Sequence, residues 1–184
     1  MSISTHIGKV RGNHEDNFYL EGLYMNDIFR NDFSASYTIH YADGMSFAVF
    51  DGMGGAAYGE VASEIAVQTL RKYEKKLKHA DGTRMLDQLI SSYTSEANNA
   101  ICDMLTEKHC QNGGTTFSML YFLGDAVKLY YLGDSRIYRY QGQRLNAAHT
   151  GSYRCQPESG SCYLYRRRSK AQPRSAPFDI VHRF

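Results

Sequence analysis

Apolar positions change their period twice along this 184-residue chain. Short apolar or β-branched runs at residues 3 to 10 and 17 to 24 flank the polar segment RGNHED, which predicts two strands with a loop between them. Two further strand-like runs, Tyr37 to Tyr41 and Ser46 to Phe50, are separated by Ala42-Asp43-Gly44-Met45. An Asp-Gly pair in that position predicts a hairpin. From Ala56 the spacing lengthens. Val61, Ile65, Leu70, Tyr73 and Leu77 fall on one helical face, and Arg71, Lys72, Lys75, Lys76 and Lys78 crowd the last turns, where cations complement the helix dipole.

A second helical stripe runs from about Arg84 to His109, through Met85, Leu86, Leu89, Ile90, Tyr93, Ala97, Ile101, Met104 and Leu105, and stops at Asn112-Gly113-Gly114. The short period then returns in Thr115 to Leu123, Ala126 to Leu132 and Ser135 to Tyr140, punctuated by Gly124-Asp125 and Gly133-Asp134. Strands, two long helices, then strands is the order of an α+β domain with helices packed on antiparallel sheet, not of a parallel βαβ array. No internal repeat interrupts it.

Composition narrows the picture. A chain of this length, 42% hydrophobic and 13% aromatic, builds one sizeable core, so one domain is expected. The net charge of +2 is unevenly placed: residues 151 to 184 hold seven Lys/Arg and two acids, a net of +5, which leaves −3 for residues 1 to 150. That tail also holds all three prolines and no sustained periodicity. The expected division is residues 1–146 as the folded part and 147–184 as a basic, poorly ordered tail, without the aromatic interleaving of a nucleic-acid arm. Cys102, Cys110, Cys155 and Cys162 match neither CxxC metal spacing nor a dense disulfide framework, and are expected as reduced thiols. The first residues lack a secretory apolar region, and no run approaches the roughly 18 apolar residues of a membrane span. A cytoplasmic protein with no membrane or nucleic-acid partner is expected.

Candidate chemistry gathers at strand ends. Glu15-Asp16, Asp51, Asp125 and Asp134 all sit in turns or at strand termini, where an aspartate most often bonds local backbone N–H groups. Asp51 is distinguished by its neighbours. Hard cations such as Mg²⁺ and Mn²⁺ take carboxylate and backbone carbonyl oxygens, and Asp51-Gly52 offers one of each, with no side chain on Gly52 to obstruct the approach. Arg11 lies on the same loop as Glu15 and Asp16, and a guanidinium makes bidentate bonds to phosphate that a lysine does not. Carboxylates for metal plus an arginine for phosphoryl oxygens is a recurring solution for phosphoester hydrolysis.

With those residues in view, the chain resembles the metal-dependent PPM protein phosphatases, the type 2C Ser/Thr phosphatases. RGNHED resembles the family's R-x-x-N-E-D opening, with His14 where asparagine is usual. FAVFDGMGGAAYGEVAS follows the V-x-D-G-M-G-G-x-x-x-G-E-x-A-S signature, and GGTTFSML and YYLGDSRIYRYQGQRL follow the G-T-T and G-D-S-R-x-Y blocks. The resemblance covers roughly residues 3 to 145. It implies a sandwich of two antiparallel sheets flanked by antiparallel helix pairs, two Mn²⁺ or Mg²⁺ ions, and a phosphorylated protein, the product of a Ser/Thr kinase, as substrate. By the same resemblance Asp51 bridges the metals, the Gly52 carbonyl ligates one, Glu15 and Asp16 ligate directly or through water, and Arg11 holds the phosphate. Gly133-Asp134-Ser135-Arg136 is expected to be a structural turn, His14 an incidental residue of a solvent-facing loop, and Glu60 a first-turn acid complementing the helix dipole.

After Leu145 the resemblance stops. The family's later S-D-G and D-N blocks, each of which supplies a metal aspartate, have no counterpart; the later acids, Glu158 and Asp179, lie in QPESG and PFDIV. The pattern loss at residues 146 to 150 is read as a truncated or frame-shifted end that leaves sheet edges open to association. Two readings follow: a metal-dependent phosphatase acting on phosphoserine and phosphothreonine, or a catalytically inactive remnant that binds phosphoproteins.

Overall fold

The computed structural model describes residues 1–26, 33–36, 38, 40, 42–53 and 58–148. The elements are β1 (Ser2–Thr5), β2 (Asn17–Leu20), β3 (Leu23–Tyr24), β4 (Phe33–Ser36), β5 (Ser46–Phe50), α1 (Gly59–Lys78), α2 (Gly82–Glu107), β6 (Phe117–Leu123), β7 (Ala126–Leu132), β8 (Tyr138–Gln141) and β9 (Arg144–Ala147). Five strands form one sheet in the order β3-β2-β5-β6-β7, with each neighbouring pair antiparallel. Alternation along these strands sets two faces. Tyr19, Ala48, Phe50, Phe117, Met119 and Tyr121 point to the helices and belong to the main core. Phe18 and Leu20 point the other way and form a smaller cluster with Met25, against which Ile3 and Phe47 pack. Ile3 brings with it the two-stranded β1–β4 sheet, so the helix pair and this ribbon cover opposite faces.

The expected α+β class is the observed one, with antiparallel sheets and, among the described residues, one helix pair. Helix α1 buries Ala62, Ala66, Val67, Leu70, Tyr73 and Leu77. Its first two turns are lined by Gly59, Ala62, Ser63 and Ala66, residues small enough to let the helix start close against the sheet. In α2 the buried stripe is Leu86, Ile90, Tyr93, Ala97, Ile101, Met104 and Leu105. Met85, expected on that stripe, is 41% exposed. Tyr93 ties the layers together: its ring lies 5.1 Å from that of Phe117 and 6.0 Å from that of Tyr73, and its hydroxyl donates to the Ala66 carbonyl at 3.2 Å.

Several expectations need correction. The first strand ends at Thr5, and the second is broken by a turn at Glu21-Gly22, both at positive φ, into β2 and β3. β5 is flanked by β2 on one edge and β6 on the other. The Asp-Gly turn itself is present, with Gly44 at φ +81°, but it anchors to the β6–β7 end: Asp43 Oδ1 accepts Gly124 N–H at 2.7 Å and Phe122 N–H bonds the Met45 carbonyl at 2.9 Å. Residues 37, 39 and 41 of the expected partner strand lie outside the described residues. The strand expected from Ser135 begins at Tyr138, and β9 joins it through Gly142-Gln143, both with the positive φ of a tight two-residue hairpin turn. Cys110 is a free thiol. Cys155, Cys162 and the expected tail beyond Ala148 lie outside the described residues. No helix among the described residues is long and apolar enough to cross a membrane.

Candidate metal centre

Three backbone segments meet where β5 ends. Gly52 N–H donates to the Glu15 carbonyl at 3.2 Å, Met53 N–H to the Gly114 carbonyl at 3.0 Å, and Thr116 N–H to the Asp51 carbonyl at 2.8 Å. Gly52 also forms an isolated bridge with Thr115. The approach is so close that a Cβ on Gly52 would stand 2.4 Å from the Glu15 carbonyl oxygen and 2.5 Å from that of Gly59. Glycine is required there by contact, and the requirement explains the second glycine too, since a Cβ on Gly59 would crowd Gly52 and Met53 at 3.2 Å. Asp51 is thereby carried to the surface on the tip of a strand whose preceding residue, Phe50, is buried.

The Asp51 main chain is fixed from a second side. Thr116 Oγ1 accepts the Asp51 N–H at 3.0 Å and lies 2.7 Å from Ser135 Oγ. Gly133, at φ +105°, packs so tightly that an added Cβ would meet Thr116 Cγ2 at 2.7 Å. The GGTT and GDSR segments thus form one brace behind Asp51.

On the facing loop, His14 is 4% exposed. Its Nδ1 accepts the Asp16 N–H at 3.3 Å, so the neutral ring carries its proton on Nε2, which donates to Thr5 Oγ1 at 2.6 Å. Asn17 is buried as well. Its Oδ1 accepts the N–H groups of Phe18 and Met25, and its Nδ2 donates to the Met25 carbonyl. With His14 and Asn17 committed to architecture, the carboxylates of Glu15 and Asp16 are left for chemistry. Arg11 is half-exposed, its guanidinium 3.7 Å from Glu15 Oε2.

Electrostatically the site is short of positive charge. Burial, the charge of Asp16, then that of Asp134, a side-chain hydrogen bond with Asp16 and the charge of Glu15 together push the Asp51 carboxyl up to about 6. Carboxylates gathered amid like charges favour a cation between them. Among the described residues no three His, Cys, Asp or Glu side chains converge on a single metal position. The donor set nevertheless suits a hard divalent ion that keeps several waters, since such ions bind through one or two carboxylates plus water. A cleft of about 200 Å³ opens beside it, polar at Thr5, Asp16 and Asp51 and apolar at Ile3, Phe18 and Val49.

Of the residues singled out in the sequence, Glu15, Asp16, Asp51 and Gly52 come together, and Arg11 stands beside Glu15 instead of facing Asp51. Glu60 sits in the first turn of α1. His14 is not an incidental solvent-facing residue: its polar neighbours in sequence conceal a partner on β1. Thr116 and Ser135 were recognisable only as parts of motifs, and their bonding to the Asp51 main chain has no local signal. The GDSR turn is structural through Ser135, yet Asp134 also contributes charge at Asp51.

The profile of the family described as Protein phosphatase 2C matches residues 23–156. The serine/threonine protein phosphatase PstP of Mycobacterium tuberculosis is 33% identical over 99 residues, 53% of this chain and 18% of the relative. Among solved structures, the catalytic domain of PstP in complex with two manganese ions aligns at TM-score 0.57 and 26% identity, covering 81% of this chain and 54% of that one. The Staphylococcus aureus serine/threonine phosphatase Stp1 aligns at TM-score 0.57 and 18% identity, over 84% of this chain and 53% of that one, a likeness of fold. The chain therefore spans about half the length of these solved domains and less than a fifth of the curated relative.

Proposed function

Since the chain belongs to the protein phosphatase 2C family, we propose that its Asp51 site binds Mn²⁺ or Mg²⁺ and hydrolyses phosphoserine and phosphothreonine on proteins that a Ser/Thr kinase has modified. The observation that carries this reading is the acidic cluster of Asp16, Asp51, Glu15 and Asp134, assembled on a rigid main-chain junction. The manganese-bound PstP domain supports the choice of ion.

In this reading Asp51 and Asp16, the Gly52 carbonyl and Glu15 hold the ion. The chemistry such an ion supplies when bound is activation of water and neutralisation of phosphate charge. Asp51 would bind the ion as the carboxylate. Arg11 leaves its long contact with Glu15 to make bidentate bonds to the phosphoryl oxygens, a small loss because it is half-exposed where it now sits. The cleft receives the phosphorylated side chain, with Ile3, Phe18 and Val49 against its aliphatic part.

A second reading is a phosphoprotein-binding module without turnover. It is favoured by the absence of three converging acidic or histidine side chains among the described residues. Hydrolysis of p-nitrophenyl phosphate by the purified chain, with and without MnCl₂ and beside Asp51→Ala, decides between them. Manganese-dependent turnover lost in Asp51→Ala supports the enzyme. Well-folded chain without turnover overturns it in favour of the binding module.

A further inference from the structure

Resting on the reading of Glu15, Asp16 and Asp51 as the cation site, we propose that His14 is a positioning residue that sets the affinity of that site by clamping the Asp16 main chain to Thr5 of β1.

Two bonds define the clamp. The Asp16 N–H donates to His14 Nδ1 at 3.3 Å, and His14 Nε2–H donates to Thr5 Oγ1 at 2.6 Å. The imidazole therefore spans from the peptide that carries Asp16 to β1, and both Asp16 and Thr5 line the cleft. A ring that is 4% exposed has no water to replace either partner, so both bonds are obligatory in the folded chain. The direction in which the Asp16 carboxylate leaves the backbone follows from the orientation of this peptide. The charge of Asp16 acts on Asp51, so the two carboxylates repel each other across the site. Something has to resist that repulsion before a cation arrives.

The other supports of the loop do not do this. The Glu15 carbonyl bond to Gly52 fixes the loop's distance from β5, and the Asn17 amide fixes the start of β2 to Met25. Neither bond acts on the Asp16 peptide nitrogen. Arg11 reaches Glu15 at 3.7 Å, a long contact from an exposed side chain. His14 alone among these groups connects Asp16 to a separate sheet. The geometry uses Nδ1 as an acceptor and Nε2 as a donor, a pairing the imidazole ring supplies in one side chain.

Isothermal titration of the full 184-residue chain with MnCl₂, together with melting in EDTA, tests the clamp in four proteins: wild type, His14→Phe, His14→Asn and Thr5→Val. His14→Phe keeps the buried volume and removes both bonds, and its Mn²⁺ Kd is expected to rise roughly 10-fold or more, the usual consequence of losing an orienting partner. In Thr5→Val the strand partner is lost without change of shape, and a rise of about 3- to 10-fold is expected. Asparagine at position 14 can still accept a backbone N–H two residues on but is too short to span to Thr5, so His14→Asn is expected to show the same rise as Thr5→Val, about 3- to 10-fold. A merely structural histidine would lower the melting temperature in EDTA and leave Kd where it was.

Wild type that binds Mn²⁺ while His14→Phe and Thr5→Val bind it equally well overturns the clamp and leaves the metal site standing. Wild type that does not bind Mn²⁺ overturns the metal site, and the clamp with it. Should His14→Phe fail to fold, Thr5→Val carries the decision alone: weakened binding supports the clamp and unchanged binding overturns it.

Discussion

Replacing Asp51 by asparagine changes stability with opposite sign in the absence and presence of manganese. In the metal-free chain the Asp51 carboxyl is raised from 3.8 to about 6 by burial and by Asp16, Asp134 and Glu15. The folded chain holds this proton more tightly than the unfolded chain does. The stability associated with it is complete below pH 3.8 and is lost as pH rises through 6. At about 1.4 kcal/mol per pH unit the full displacement corresponds to about 3 kcal/mol. Asp51 is exposed, so solvent screening reduces this to about 1 to 1.5 kcal/mol. Asp51→Asn in EDTA at pH 7.5 should therefore melt above wild type by about 3 to 5 °C. At pH 4 the difference should shrink towards zero. With MnCl₂ at about 100 times Kd, wild type gains about 2.7 kcal/mol and the variant little of it, so the order reverses. Scanning calorimetry at pH 4 and 7.5, with EDTA or MnCl₂, reads all four values. Asp51→Asn melting at or below wild type in EDTA at pH 7.5, or a difference independent of pH, would refute the like-charge account.

Three further substitutions address the frame around Asp51. Gly52→Ala places a methyl group within 2.4 to 2.5 Å of two backbone oxygens that cannot rotate away, and a loss of about 3 kcal/mol with no melting response to MnCl₂ is expected in calorimetry. Thr116→Val removes the acceptor of the Asp51 N–H and the partner of Ser135; chemical denaturation should show a loss of about 1 to 3 kcal/mol, larger than that of Ser135→Ala. Tyr93→Phe deletes a buried bond to the Ala66 carbonyl far from the acids. It should cost about 1 kcal/mol and leave the Mn²⁺ Kd unchanged by titration.

What the sequence discloses and what it hides divides by range. Leu86, Ile90, Tyr93, Ala97 and Ile101 repeat at helical spacing because one neighbour, the sheet and α1 together, buries them all, so α2 is legible to within two residues at each end. The acids are legible as a group because Glu15-Asp16 and Asp51-Gly52 lie in compact motifs. Asp43-Gly44 is legible as a turn because turn chemistry is local, whereas the observed partners of β5, the strands β2 and β6, are set by distant segments. His14 and Thr116 are hidden for the same reason: their partners stand nine and 65 residues away. The β8–β9 hairpin escapes because its strands are mostly exposed and lack apolar alternation.

The Gly52 junction also has a consequence in time. It closes only when the loop before β2, the end of β5 and the first turn of α1 are docked together, and Thr116 arrives from beyond α2. Contacts so distant along the chain form late in folding, after helices and hairpins whose partners are near. On the proposed function, manganese bound at this junction would act on the last step, slowing escape from the native state more than it hastens arrival. The ion would then be a latch on a finished molecule and not a seed around which one grows.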